Sequence, residues 1–430
     1  MRPSFIRYGI NDRPAWGALL LYGLQWLAVT GVSVIIMGKI VASLHFSESV
    51  AQLFYMQKLL FLTAMTLIIQ IFFGHRLPLV VGPAVILLVG IISSGNHDFN
   101  AIYSSMAIGG MFLTALCASG LFRYVAKLFT SRVVATILIL IALTITPTIL
   151  KLMLTAPSPD QVGRNLLFAL VLLLAMIAGD RLLRGVWRST MLVWALVVGG
   201  LAGLVFLPSA GTIVHADLPL FSSMLTHWNI HFVWDLGLVL SFLICFLALA
   251  INDLGSIESL GKLLRPSNME RRLTRGMVVT GLSNIIAGFW GVIGLVNFSL
   301  TAGIISSNGN ASRICFVPAA LCLALISFMP PAIAMIWDIP AVVIGTILLY
   351  IMGLQLAAGL MVAFGSQEFT FHDAMIISVP VMISVLVSFL PTEVIATFPK
   401  TLIPVAGNGF VVGTLSVLLL EHGLLRRKEE

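Results

Sequence analysis

The chain has 430 residues, of which 59% are hydrophobic and only 10% charged, and its mean hydropathy is +1.07. A water-soluble protein of this length cannot hide so much apolar side chain, because its own exterior must face water. The net charge of +7 does not point to nucleic acid either, since the basic residues are scattered between apolar runs and form no patch.

A helix that spans a bilayer needs roughly 20 apolar residues. In chain order that length predicts segments over 16–42, 51–73, 77–95, 101–122, 133–155, 165–180 and 190–208, then over 233–251, 276–294, 296–306, 314–330, 339–363, 374–390 and 402–421. The run from Trp16 to Ala42 is too long for a signal-peptide core and reads as a first membrane helix. The longest polar connections, around 156–164, 209–232 and 262–275, leave no room for a soluble domain. One transmembrane domain over 1–430 is expected. Cys117, Cys245, Cys315 and Cys322 all fall in apolar stretches. Their spacing fits neither a metal site nor a disulfide framework, so they read as small packing side chains.

Fourteen segments put both termini on one side. With the N-terminus in the cytoplasm, every Lys and Arg except Lys39, Lys58, Lys151, Arg164 and Lys400 falls on the cytoplasmic side, the bias that the positive-inside rule expects. The prediction is a multi-pass protein of the cytoplasmic (inner) membrane with both termini inside.

Two segments differ from the rest. The stretch 77–95 carries Pro78 and Gly82-Pro83 near its start, and 296–306 is too short to cross unaided and follows Gly291 and Gly294. Non-helical backbone at membrane depth survives only inside protein or against a cavity. Interruptions at matching places in two halves mark a midplane binding site in secondary transporters. One is the third segment of the first seven, the other the third of the second seven. This predicts two inverted seven-helix repeats, about 15–208 and 233–421, with Gly82–Val85 and Asn297–Thr301 facing a shared site. Glycine and proline are also frequent in ordinary membrane helices, which is the plainer reading of the same residues.

Polar residues at membrane depth are few. Asn252 and Asp253 end the apolar run of the eighth segment, followed by Gly255, Ser256 and Glu258. Ionisable groups at that depth are expensive and usually functional, but a helix ending at Ile251 would make this pair a solvated end. Asp253, with Glu258 further along, is the nearest candidate to couple H+ or Na+; Leu300 cannot carry a proton. Lys39, Lys58 and Lys151 are expected to snorkel at helix ends, and His75, His97 and His372 to lie in loops. No His/Asp/Glu cluster supports an enzyme, a metal or a cofactor.

The opening Tyr8-Gly9-Ile10-Asn11-Asp12-Arg13-Pro14, then Gly23-Leu24-Gln25-Trp26, resembles the start of the nucleobase/cation symporter-2 family, which includes uracil and xanthine permeases and ascorbate transporters. The resemblance runs on through Thr66–Gln70, Leu77-Pro78…Gly82, Arg132-Val133-Val134, Arg272–Gly276, Ala287-Gly288 and Ile339-Pro340-Ala341-Val342…Gly345. It implies an all-α polytopic membrane fold with fourteen transmembrane segments in two inverted repeats, interleaved core and gate domains, short broken helices three and ten, and a homodimer. It also implies a substrate site at Ser33, Pro83, Ala84, Val85, Asn252, Ser256, Phe298, Ser299, Leu300 and Thr301. The departures lie there. The family's Glu-x-x-Gly reads Asn252-Asp253-Leu254-Gly255, its Glu-Asn on the tenth helix reads Leu300-Thr301, and its stacking aromatic on the third reads Val85. The reading is a secondary permease for a nucleobase-like small solute; the alternative is an organic or inorganic anion carrier on the same fold.

Overall fold

The computed structural model describes residues 6–95, 97–156, 158–183, 186–207, 218–223, 231–365, 369–395, 397–399 and 401–425. The first half holds α1 (Trp16–His45), α2 (Ser49–Phe72), β1 (Val81–Pro83), α3 (Val85–Ser93), α4 (Phe99–Ala118), α5 (Phe122–Ala126), α6 (Ser131–Thr144), α7 (Thr146–Leu154), α8 (Val162–Leu182), α9 (Val186–Ser189) and α10 (Met191–Phe206). The second holds α11 (Leu236–Leu264), α12 (Met269–Trp290), β2 (Leu295–Asn297), α13 (Leu300–Asn308), α14 (Phe316–Ser327), α15 (Pro330–Trp337), α16 (Ala341–Phe364), α17 (Phe371–Ser388), α18 (Thr392–Ile395), α19 (Ile403–Ala406) and α20 (Gly409–Leu419), the last ending in a π turn over Leu420–Leu424. Among the described residues, 8 helical stretches are long and apolar enough to cross a membrane. Leu167, Val171 and Leu174 on α8 and Val205 and Phe206 on α10 are exposed. Such outward apolar faces are stable only against lipid.

Helices pack in two sets. In one, α1, α2, α4, α11, α12 and α14 surround α3 and the strands; in the other, α16 lies along α6, α7 and α8, with α17 and α20 against α6. Missing side chains set the tightest crossing, between α4 and α12. A Cβ on Gly288 would stand 2.6 Å from the backbone nitrogen of Ala107, and one on Gly110 2.7 Å from that of Ile285. Backbones approach this closely only where small residues line both helices. In the other set Arg132, at the start of α6, binds Asp373 on α17 and Glu421 in the π turn, the latter at 2.8 Å. Asp373 also closes a capping box with Thr370, which fixes where α17 begins.

Several expectations need correcting. The eighth segment does not stop at Ile251: α11 continues to Leu264, because Ile257, Leu260 and Gly261 carry its buried face onward. It ends where Pro266 follows and Arg265 takes a left-handed conformation. Asp253 is therefore inside a helix, not at a solvated end. The last segment, expected as one helix over 402–421, breaks at Asn408, whose side chain caps α20 by accepting from Phe410 and Val411. His372 lies in the first turn of α17, not a loop. Lys39 does not snorkel; its Nζ donates to the carbonyls of Trp337 and Ile339, closing the C-terminal end of α15. Arg2, Arg184, Lys400, Arg426, Arg427 and Lys428, and 209–217 and 224–230 of the expected external stretch, lie outside the described residues.

Candidate functional site

The two interrupted segments meet. β1 and β2 pair antiparallel in the register Val81↔Asn297, Gly82↔Val296 and Pro83↔Leu295, and all six residues are buried. The pairing extends at both ends, from Ala84 N–H to the Gly294 carbonyl and from Phe298 N–H to the Val80 carbonyl, each at 2.9 Å. Extended backbone at this depth is thus satisfied by its partner strand, as an apolar environment requires. Beyond the strands, α3 and α13 are each 9 residues long. Both begin at the crossing, and the first turn of each leaves backbone N–H groups without an intrahelical acceptor. Their positive dipole ends thus converge.

Side chains pin the crossing from several helices. Asn284 on α12 donates to the Leu295 carbonyl at 2.8 Å and accepts from its N–H at 3.1 Å. Tyr55 on α2 accepts from Ile293 at 2.9 Å. Thr301 accepts from Val80 at 3.2 Å and donates to Phe298 at 2.8 Å. Asp253 accepts at one oxygen from the backbone and side-chain nitrogens of Asn297, at 3.1 and 2.6 Å. His75, in the connection between α2 and β1, completes the set. It accepts from Leu77 N–H at Nδ1, 2.9 Å, so its Nε2 carries the proton toward Asn297 Oδ1 at 3.2 Å. Burial, opposed by the bond to Asn297 and reinforced by nearby Arg272, holds the His75 pKa down to about 3; the ring is neutral.

The expected site residues divide into two kinds. Ser33 on α1, Val85 at the start of α3, Asn252 on α11 and Phe298 are half-buried, and Ser299 and Leu300 are exposed. A Cβ on Gly82 would stand 2.6 Å from the Phe298 ring and 2.9 Å from Ser33 Oγ, so these three converge on one patch of backbone. Pro83, Ala84, Ser256 and Thr301 are buried. Ser256 bonds the Asn252 carbonyl of its own helix at 2.8 Å, and Thr301 bonds the strands, so both hold the frame and present nothing outward. Asn297, expected to face the site, instead turns toward Asp253 and His75. Glu258 is exposed. The sequence reading missed His75, Thr280, Asn284 and Tyr55 as parts of the frame. Thr280 and Asn284, four apart in an apolar helix, were the available signal, because such a pair shares one face.

Known proteins resemble this chain in sequence and in fold. The profile of the xanthine/uracil permease family, described as a permease family, matches residues 17–393. The chain is 22% identical to the uric acid permease PucJ of Bacillus subtilis over 84% of this chain and 81% of that protein. It is 24% identical to a putative purine permease of Clostridium perfringens, over 96% and 92% respectively. Among solved structures, the murine Slc26a9 anion transporter in its inward-facing state superposes with a TM-score of 0.63 at 14% identity, covering 95% of this chain and 69% of that one. At that identity the likeness speaks for the fold alone.

Proposed function

Because the chain belongs to the xanthine/uracil permease family, we propose that it carries an oxopurine-like nucleobase, uric acid being the type, across the cytoplasmic membrane by alternating access with a coupled cation. The observation that carries this reading is the strand crossing, where Ser33, Gly82 and Phe298 meet and two helix N-termini converge. Phe298 offers a face for a planar ring. Asn252, half-buried and making no side-chain hydrogen bond among the described residues, offers one acceptor and two donors. With Val85 and Leu300 at the flanks and no carboxylate at the patch among the described residues, the site suits a solute rich in acceptors. Uric acid, a weak acid ionised near neutral pH, is such a solute, and the dipole ends favour its charge.

The proposal extends to architecture. The two packing sets are read as core and gate, the two strand–helix segments as equivalent parts of two inverted seven-helix repeats, and the chain as a fourteen-span protein with both termini in the cytoplasm, working as a homodimer. A second reading, a carrier of small inorganic anions, draws on the same convergence of N-termini. Purified protein in proteoliposomes should take up labelled urate, and unlabelled xanthine should compete better than bicarbonate or sulfate. Uptake of bicarbonate or sulfate with none of urate would replace the first reading by the second.

A further inference from the structure

Three carboxylates are buried among the described residues: Asp253, Asp373 and Glu421. Asp373 and Glu421 share Arg132. Among the described residues no cation stands beside Asp253. It is fully buried on α11, and its Oδ2 has no hydrogen-bond partner among the described residues. The neighbouring elements bring no compensating charge. From α12 comes the Thr280 hydroxyl, which faces the carboxyl, from α4 the thiol of Cys117, and from β2 Asn297; among the described residues α3, α13, α19 and α20 place no charged side chain against it. His75, beyond Asn297, is neutral.

The hydrogen-bond directions are fixed along this row. Leu77 N–H occupies His75 Nδ1, so Nε2–H donates to Asn297 Oδ1, and the Asn297 amide must present its N–H to Asp253 Oδ1. The row therefore ends on one oxygen, Oδ2, which forms no hydrogen bond among the described residues, the Thr280 hydroxyl beside the carboxyl being engaged with the Gly276 carbonyl. A buried carboxylate without a cation is costly unless neutralised, and a proton on Oδ2 neutralises it without disturbing any other bond in the row.

We propose that Asp253 Oδ2 is the site that takes up and releases the coupling proton, and that Asn297 transmits its state to the strand crossing. The inference rests on the permease reading above and names the ion and its site. When Asp253 is ionised, Oδ1 holds both Asn297 N–H groups through charge-assisted bonds. When a proton enters from one side of the membrane, Oδ1 becomes a weaker acceptor and that hold loosens. The charge goes from minus one to zero and no covalent bond in the chain changes. Asn297 is followed directly by Phe298 and Ser299, and Asn252 precedes Asp253 on the same helix, so the change acts on two walls of the site. Loss of the proton on the other side restores the tight state.

Infrared difference spectroscopy on the purified protein tests protonation without any substrate. Wild-type minus Asp253→Asn should show the carbonyl stretch of a protonated carboxyl, bleaching as pH rises. In Asn297→Ala, with the donors to the charged form removed, the same band should persist to higher pH. The absence of a pH-dependent carboxyl band in that difference overturns the proposal. So does a band whose pH range is unmoved in Asn297→Ala. In proteoliposomes, an inward proton gradient should accumulate urate through wild type, whereas Asp253→Asn should show no accumulation above equilibrium. Asp253→Asn that accumulates urate with the wild-type pH dependence also overturns the proposal. Wild type that moves no urate while the carboxyl band titrates as expected counts against the substrate reading and leaves the proton site standing.

Discussion

Asn297 donates two N–H groups, one from its backbone and one from its side chain, to the same oxygen of Asp253, at 3.1 and 2.6 Å. One acidic side chain on α11 thus fixes the last residue of β2. Asp253→Ala leaves the backbone N–H of Asn297 without an acceptor and its side-chain amide with only Thr280 Oγ1, at 3.4 Å. It should cost about 1–3 kcal/mol for each group left unpaired, visible as a lower thermal midpoint in detergent. Asp253→Asn, which keeps one acceptor oxygen, should cost less. Equal midpoints for wild type and Asp253→Ala would show that the crossing stands without this anchor.

His75 predicts a pH effect on stability. Its folded value, about 3, lies below the ordinary 6.5, so the unfolded chain binds the extra proton first. The contribution is complete above about pH 6.5 and is lost progressively as pH falls toward the folded value. The melting temperature of wild type should therefore fall between pH 6.5 and 4 more steeply than that of His75→Gln. Parallel curves for the two proteins would mean that His75 is not held neutral.

Much of the crossing was legible in the sequence. Gly82-Pro83 and the short tenth segment flanked by Gly291 and Gly294 sit where a helix cannot continue, and the strands appear at those places. What the residues could not show is direction. Asn297 is one residue from Phe298, yet it turns away from the site because Asp253, 44 residues earlier, meets it there. The end of the eighth helix was misplaced for a related reason. A polar pair after an apolar run looks like a solvated terminus unless the packing partners on α12 and β2 are known. Lys39 was misjudged likewise, since its acceptors at Trp337 and Ile339 lie some three hundred residues away.

Gly82 is predicted to tolerate no side chain. A Cβ there would stand 2.6 Å from Phe298 and 2.9 Å from Ser33, so Gly82→Val should abolish transport. Truncating the ring relieves the nearer clash, and Gly82→Ala with Phe298→Ala should recover part of the fold lost in Gly82→Ala alone, seen as a higher melting temperature. A double variant no more stable than Gly82→Ala would remove the ring as the cause.

Topology gives a separate expectation. Asn268 lies exposed in the turn between α11 and α12, and Leu220 is exposed in the connection after α10. In a cysteine-free background, Asn268→Cys should react with a membrane-impermeant maleimide only after lysis, and Leu220→Cys in intact cells. The reverse pattern would invert the orientation and undo the reading of the basic residues as cytoplasmic.

The central claim is that an ionised oxopurine is held at the crossing of β1 and β2. Calorimetric titration of the purified protein with urate measures it most directly, using wild type, Asn252→Ala and Ser299→Trp. Wild type should bind, Asn252→Ala should bind more weakly by about 1–3 kcal/mol, and Ser299→Trp, whose ring would fill the exposed wall, should not bind while melting near the wild-type temperature. Urate bound by Ser299→Trp at wild-type affinity would contradict the account.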